Sequence, residues 1–232
     1  MDICLRRIQM AKTALEKKQV MISFIDAASQ IMDSEGIESI TARRVANLAG
    51  HNVAIIYRYF NNLDHLIFFV CVKYYNKYVH DLYNYVNIND NTIKIYYNIW
   101  KCFCVHSFNN PQIFKAMFLN NINQSFTQAI NNYYELFPEE LESLPKELSH
   151  MLDKENIHDR DKAVLLKAAE DNYIDKKDLN EISEVIIIFY EGILARLISD
   201  YHKYTKEDAL NLTLKFIRQI LKSYCLKDIN LG

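Results

Sequence analysis

The stretch TARRVANLAGHNVAIIYRYF, residues 41–60, decides the fold of this chain. Thr41 and Asn52 each stand before a short segment of helical pattern, and each side chain can accept a hydrogen bond from an amide two or three residues on. Gly50 lies between the two segments and can adopt the left-handed backbone of a tight turn. The pattern predicts two short helices joined by a turn, the second of which is placed to enter a DNA major groove.

The segment before this stretch completes a unit of three helices. Apolar residues recur at helical spacing through residues 17–34, and Gly36 follows at the position where a helix ends in a left-handed residue. Residues 1–16 are expected to add a helical extension, either a basic arm on DNA or a solvated segment. We expect side chains from all three helices to form one small core: Phe24, Ala28, Ile31, Val45, Leu48, Ile56 and Phe60.

These motifs together resemble the DNA-binding domain of the TetR family of transcriptional repressors. The similarity rests on GIESITARRVANLAG at residues 36–50, on IYRYF at residues 56–60, and on Asp64, which opens a fourth helix. It covers about residues 18–68. The resemblance implies an all-α protein with an N-terminal helix-turn-helix domain, joined by a long fourth helix to a larger helical domain for ligand binding and dimerisation.

The resemblance also implies which residues contact DNA. Thr41 would bind a phosphate, Arg43 a base edge or a phosphate, and a guanidinium at that place can contact guanine with two hydrogen bonds. The alternative roles are capping for Thr41 and Asn52, a solvent-facing position for Arg44, and a core position for Tyr57. The implied DNA-binding set is Thr41, Arg43, Arg44, Asn52, Val53, Ala54, Tyr57 and Tyr59.

Three positions depart from the pattern of the family. Ile55 stands where a small hydroxyl residue usually binds a phosphate, Leu63 stands where a lysine is common, and His51 replaces a small apolar residue. Together with a net charge of only −2, these departures leave a second possibility open. The chain could be a helical interaction module that has kept the fold and lost sequence-specific DNA binding.

The remainder of the chain is also expected to be helical, because four glycines and three prolines in 232 residues are too few for a sheet protein. We divide the whole chain into a DNA-binding domain at residues 1–66 and a ligand-binding and dimerisation domain at residues 67–232. Residues 63–86 read as one long helix, and the polar stretch at residues 87–91 is a further candidate boundary. The resemblance implies that this fourth helix transmits ligand binding to the recognition helices, and the alternative is a rigid connector.

Large aromatic side chains with few charges are concentrated in the middle of the chain. At helical spacing they can form a plain core, or they can line a cavity for a small hydrophobic or aromatic effector. The resemblance favours the cavity. The residues expected to line it are Tyr97, Trp100, Phe103, Phe114, Met117, Phe118, Tyr134 and Tyr190.

The last two helices are apolar on more faces than one protomer can cover. Residues 179–201 are apolar nearly all round, and Gly192 in mid-helix indicates the close approach of another backbone. Two such helices from each subunit would form the four-helix dimer interface of the TetR family. The expected interface residues are Ile186, Phe189, Gly192, Ile193, Leu197, Phe216 and Ile220.

Several functional classes are disfavoured by the sequence. No apolar run is long enough to cross a bilayer, and the charged N-terminus has no apolar signal segment, so we expect a cytoplasmic protein. On a helix, Cys102 and His106 share a face while Cys104 points elsewhere, so these three residues cannot bind one metal ion. We therefore predict no metal, no cofactor and no enzyme activity. The resemblance to the TetR family implies a homodimeric, ligand-responsive repressor of a palindromic operator.

Overall fold

A computed structural model describes residues 2–118, 126–141, 148–154, 156–199 and 204–231, with side chains not described for residues 2–14, 126–129, 139 and 141. Within these ranges the regular elements are helices and the chain contains no strand. No described helix is both long and apolar enough to cross a membrane. The helices are α1 Asp2–Glu35, α2 Ala42–Leu48, α3 Val53–Tyr59, α4 Leu63–Tyr85, α5 Thr92–Asn109, α6 Pro111–Phe118, α7 Phe126–Leu136, α8 Pro138–Leu141, α9 Ser149–Leu152, α10 Ile157–Glu170, α11 Leu179–Ile198 and α12 Lys206–Tyr224. The predicted all-α fold is confirmed.

The chain forms two compact units. The N-terminal unit comprises Met1–Lys73 together with Ala129–Pro138, and the C-terminal unit comprises Tyr74–Gln128 together with Glu139–Gly232. Helix α4 therefore contributes its first half to one unit and its second half to the other.

The N-terminal unit contains the predicted helix-turn-helix. The Thr41 hydroxyl accepts a hydrogen bond from the Arg44 amide at 3.3 Å and caps α2, while Asn52 Oδ1 accepts from the Ala54 amide at 2.9 Å and caps α3. Gly50 lies between the two helices with φ of +72°. Both caps and the turn are therefore formed by the residues that the sequence pattern singled out.

The core of the N-terminal unit is built from α1, α2, α3 and α4. Phe60 lies at its centre, with ring centroids 6.4 Å from Phe24 and 5.6 Å from Phe69, both in edge-to-face contact. Leu48 was expected in this core, but 49% of it is exposed. Val45 and Ala46 occupy the buried side of this seven-residue helix, so Leu48 falls on its outer edge. The other expected core residues, Ala28, Ile31, Val45 and Ile56, are buried with Phe24 and Phe60.

Replacing Gly50 with alanine is expected to lower the free energy of unfolding by about 1–2 kcal/mol, because a residue with a Cβ is strained at positive φ. A Cβ at this position would meet no atom within 4 Å, so the cost arises from the backbone and not from a clash. Urea denaturation followed by circular dichroism measures the change. Gly50→Asn is the matched control and should cost less, since asparagine tolerates the left-handed region. Equal stability of the alanine variant and the wild type would contradict this.

In the C-terminal unit, α5 packs against α10 and α12, and α11 packs against α10 and α12. Its largest fully buried side chains are aromatic. Tyr190 of α11 stacks on Phe108 of α5 at a centroid distance of 5.8 Å, and Tyr96 of α5 is 1% exposed. This aromatic interior surrounds the cavity described below.

Candidate nucleic-acid interface and ligand cavity

The surface expected to meet DNA lies on the outer sides of α2 and α3. Thr41 and Arg43 are exposed on α2 and its cap, and Asn52, Ala54 and Tyr57 are exposed on α3 and its cap. More than half of Tyr57 is accessible, so it is not a core residue. Val53 and Tyr59 are half-buried at the margin of the same surface. The structure thus brings seven of the eight implied DNA-binding residues to one surface, five of them exposed and two half-buried.

Arg44, the eighth, is engaged within the unit. Its guanidinium donates two hydrogen bonds to the Glu35 carboxylate, one of them 2.9 Å long, and a further one of 3.1 Å to the Ser39 carbonyl. These bonds from Arg44 lower the pKa of Glu35, which stays ionised. Arg43, by contrast, has no ion-pair partner among the residues that the structure describes. Of the two adjacent arginines, Arg43 is the one whose charge remains available to a phosphate or a base.

Two histidines near this surface belong to the core. The His51 ring packs on Phe24 at a centroid distance of 5.1 Å, which explains how the turn accommodates it in place of a small residue. His65 Nδ1 accepts a hydrogen bond from the Asn61 amide at 3.2 Å, and its ring lies 5.1 Å from Phe69. Burial lowers the pKa of His65. The ring is therefore neutral near pH 7 and supplies no charge to the N-terminus of α4.

A cavity of about 40 Å³ lies inside the C-terminal unit, among α4, α5, α6, α9 and α10. That volume has room for two or three water molecules and is far below the roughly 300 Å³ of a typical ligand pocket. Its walls are mainly aromatic and aliphatic, with two charged side chains from α10. The lining residues are Tyr78, Tyr96, Ile99, Trp100, Phe103, Phe118, Met151, Ile157, Arg160, Asp161 and Val164.

Asp161 is the polar group that distinguishes this cavity. Its Oδ1 accepts hydrogen bonds from the Tyr96 hydroxyl at 2.7 Å and from the Trp100 indole N–H at 2.8 Å. Its Oδ2 is buried and makes no hydrogen bond of standard geometry to any residue described. Burial raises the pKa of this carboxyl to about 6, and the hydrogen bonds that it accepts offset only part of the rise. The Ser183 hydroxyl is the group that lowers this pKa most, ahead of Tyr96 and Trp100, so the cavity presents a buried carboxyl with three donors near it, beside two aromatic rings.

Arg160 has a structural role at the end of α9. Its Nε donates to the Lys154 carbonyl at 2.8 Å, its Nη2 to the Leu152 carbonyl at 2.9 Å, and its Nη1 to the Tyr75 hydroxyl. These bonds satisfy carbonyls at the end of α9 and hold that short helix against α10. The guanidinium borders the cavity with each of its three nitrogens already donating a hydrogen bond.

The expected pocket residues divide into two groups. Trp100, Phe103 and Phe118 line the cavity. Tyr97, Phe114, Met117 and Tyr190 are buried in the same unit but not on the cavity wall, and Tyr134 belongs to the N-terminal unit. Sequence reasoning missed Arg160 and Asp161, although both lie one turn from Ile157 and Val164 on the buried side of α10. Charged residues inside an apolar helical stripe were the signal that could have found them.

The outward face of α11 and α12 differs from the one expected. Ile186 is fully buried and Ile193 is 2% exposed, so both belong to the protomer's own core and not to a dimer surface. The apolar residues of α11 that face solvent instead include Val185, which is 43% exposed, and Ile188, which is 58% exposed. The expected residues Phe189, Gly192, Leu197, Phe216 and Ile220 are accessible, and the rings of Phe189 and Phe216 lie 4.8 Å apart across the two helices.

A Cβ built on Gly192 would meet no atom within 4 Å. The glycine therefore does not serve packing inside the protomer, and open space lies over the α11 backbone at this point.

The N-terminal segment matches a known family at the level of sequence. Residues 24–68 fit the sequence model of bacterial regulatory proteins of the tetR family. This match spans the end of α1, the helix-turn-helix and the first residues of α4, and so includes α2 and α3, which form the exposed surface described above. No curated protein has a significantly similar sequence.

Solved structures resemble the whole chain in fold. RolR in complex with resorcinol is 12% identical with a TM-score of 0.57, over 94% of this chain and 100% of that one. FadR of Thermus thermophilus, a TetR-family transcriptional repressor in complex with lauroyl-CoA, is 12% identical with a TM-score of 0.56, over 91% and 98%. A transcriptional regulator from Rhodococcus sp. Rha1 is 13% identical with a TM-score of 0.54, over 90% and 99%. At these identities the similarity establishes the fold.

Proposed function

We propose that this chain, which belongs to the tetR family of bacterial regulatory proteins, is a ligand-responsive transcriptional repressor that binds a palindromic operator as a homodimer. The observation that carries the proposal is the exposed surface of α2 and α3, where both helix caps, Arg43 and Tyr57 face solvent. A recognition helix presented in this way contacts base edges with its first residues. The two-fold symmetry of a dimer would require two half-sites in inverted order.

The alternative, an interaction module without DNA binding, predicts that the same surface of α2 and α3 does not contact DNA. Two features support the repressor. Arg43 keeps an uncompensated charge, and Tyr57 places a large amphipathic ring in solvent with no core function. The net charge of the chain is −2 and few cations are available to displace counterions, so we expect a modest affinity whose salt slope reflects only a few phosphate contacts.

Arg43→Ala is expected to weaken operator binding by about tenfold or more, since a phosphate or bidentate base contact is worth roughly 1–3 kcal/mol. Arg44→Ala is the matched control, being the adjacent residue with its guanidinium already bound to Glu35. Fluorescence anisotropy with duplex selected from a random pool, repeated at several salt concentrations, measures both. If Arg43 contacts a phosphate, its loss also reduces the salt slope by about one.

The interaction-module alternative gains support if no duplex is enriched from the pool. If Arg43→Ala binds the operator as tightly as wild type and Arg44→Ala binds it more weakly, then Arg44 and not Arg43 makes the contact. Circular dichroism of both variants separates a lost contact from a lost fold.

The effector proposed for the C-terminal unit is a small hydrophobic or aromatic molecule. The cavity offers aromatic walls and the Asp161 carboxyl, which together fit an aromatic ring carrying a hydroxyl or amino donor. RolR, of the same fold, has been solved with resorcinol, an aromatic diol. Because the cavity has a volume of only about 40 Å³, such an effector must select a conformation in which the cavity is larger. Trp100 is the single tryptophan of the chain and lines this cavity, so its fluorescence reports occupancy directly.

A further inference from the structure

A second cluster of polar side chains lies in the C-terminal unit, separate from the cavity lining. It consists of Asp81 on α4 and of Cys102 and His106 on α5. One ligand atom from each residue, a carboxylate oxygen, the thiol sulfur and a ring nitrogen, lies within 4.8 Å of the other two. Cys102 and His106 are four residues apart and therefore share a face of the helix, as expected from the sequence. Asp81 comes from another helix, so the sequence pattern around Cys102 could not reveal it.

These three groups are the ligands that zinc prefers. Zn²⁺ binds thiolate sulfur at about 2.3 Å, and imidazole nitrogen and carboxylate oxygen at about 2.0–2.2 Å. In a tetrahedral site of that size the ligand atoms are about 3.4 Å apart. The observed separations bracket that distance, with Asp81 Oδ2 at 2.9 Å from His106 Nε2 and all three ligand atoms within 4.8 Å of one another. Thiolate and imidazole together disfavour Mg²⁺ and Ca²⁺, which take oxygen ligands.

The surroundings of the cluster hold its ligands in place. The Asn84 amide donates to Asp81 Oδ1 at 2.7 Å, and this bond, with the one from His106, lowers the pKa of Asp81. The Cys102 thiol is fully buried and is directed at the main-chain carbonyl of Tyr78, at 3.8 Å, on α4. The Tyr78 ring also packs edge-on against the His106 ring, with centroids 5.9 Å apart. Such outer contacts fix the orientation of ligands before an ion arrives.

An ion can reach the cluster from one side. The side chains of Asp81 and His106 are 31% and 18% exposed, while Cys102 closes the inner side. A site with three protein ligands and one side open to solvent leaves a fourth position for water or for a group of a bound molecule.

We propose that Asp81, Cys102 and His106 bind a zinc ion, with water completing a tetrahedral site between α4 and α5. As the sulfur–zinc bond forms, the Cys102 thiol releases its proton to solvent. The ion replaces the direct hydrogen bond between His106 and Asp81 and links the two helices through its coordination sphere.

Titration of the reduced, full-length protein with Co²⁺ under anaerobic conditions tests the site, because cobalt bound to a thiolate gives an intense near-ultraviolet charge-transfer band. Wild type is expected to bind one Co²⁺ per chain with that band, and Zn²⁺ is expected to displace it. Cys102→Ser should abolish the band. Cys104→Ser should retain it, since Cys104 is equally buried on the same helix but is not part of the cluster. The remaining cysteines are common to both variants and so cannot account for a difference between them.

Thermal unfolding with and without Zn²⁺ gives a second readout. An ion that binds only the folded state raises the melting temperature of wild type and Cys104→Ser, but not that of Cys102→Ser. Asp81→Asn, at a partly exposed position where the fold tolerates change, should bind Zn²⁺ about tenfold more weakly or worse. The proposal is overturned if wild type binds no Co²⁺, or if Cys102→Ser keeps the band. Either result would leave Asp81 and His106 as a hydrogen-bonded pair beside a core thiol. Neither depends on DNA binding, so the site and the repressor function are tested separately.

Discussion

Replacing Ile188 with glutamate is expected to convert the proposed dimer into a monomer and to weaken binding to a two-half-site operator by about 100-fold or more. Ile188 is the most exposed apolar residue of α11, at 58%, and it lies on the same face as Val185, Phe189 and Phe216. A carboxylate there has no cost in the free protomer, because the position is already in water. Buried between two subunits without a partner, it costs several kcal/mol.

Analytical ultracentrifugation measures the state of association, and anisotropy with one or two half-sites measures the loss of linked binding. Leu166→Glu is the matched control. It makes the same kind of change at a 41% exposed apolar residue of the same unit, on α10 and outside the α11–α12 face. A wild-type chain that sediments as a monomer, or an Ile188→Glu variant that remains a dimer, would contradict the assignment of this face.

Gly192→Ala tests the same face without adding charge. In the protomer the new methyl group meets open space, and replacing glycine within a helix stabilises by roughly 0.5–1 kcal/mol. If a partner backbone approaches at Gly192, the methyl group holds the two helices apart. The variant should then be more stable as a monomer and weaker as a dimer, which a defect in folding cannot mimic.

The sequence predicted the N-terminal unit well because its determinants are local. Thr41 and Asn52 cap helices that begin one residue later, and Gly50 meets a backbone requirement within its own turn. The same locality explains the error at Leu48. In a seven-residue helix the choice between the buried and the outer edge depends on which neighbours pack against it, and that is decided by α1 and α3.

The sites of the C-terminal unit depend on contacts between distant segments and were harder to predict. On α11 the apolar residues cover nearly every side, so periodicity cannot tell Ile186, which packs inward, from Ile188, which faces out. Asp161 lies 61 residues from Trp100, with which it shares a hydrogen bond. Asp81 reaches Cys102 and His106 only through the packing of α4 on α5. In each case the sequence shows the type of residue but not the distant residue that it contacts in the fold.

The Asp161→Asn variant is expected to become more stable relative to wild type as pH rises, by up to about 3 kcal/mol above pH 6. Burial raises the pKa of Asp161 from 3.8 to about 6, so between these values the folded chain binds more protons than the unfolded chain. The free energy of unfolding therefore falls as pH rises through this window. The stabilisation from the protonated Asp161 carboxyl is complete only below the pKa of this group in the unfolded chain. Asparagine has the same shape and does not titrate, so it removes this dependence.

Urea denaturation at several values between about pH 4 and about pH 7, followed by the fluorescence of Trp100, measures the difference in the C-terminal unit. The pH dependence of His65 in the N-terminal unit is common to both proteins and cancels. Glu170→Gln is the control, because it makes the same carboxyl-to-amide change at an exposed position on the same helix. A flat difference for Asp161→Asn would show that this carboxyl is hydrated in the folded chain.

The same carboxyl then gives the cavity a preference among ligands. Above about pH 6 the folded chain carries a buried charge at Asp161 on the cavity wall, and a hydroxyl or amino group on an aromatic ligand would add a hydrogen-bond donor to it. Such a ligand should lose affinity in Asp161→Asn, whereas a purely apolar ligand of the same size should bind both proteins equally. The stability that the substitution adds and the affinity that it removes therefore have one origin, a carboxylate buried in the wall of the cavity.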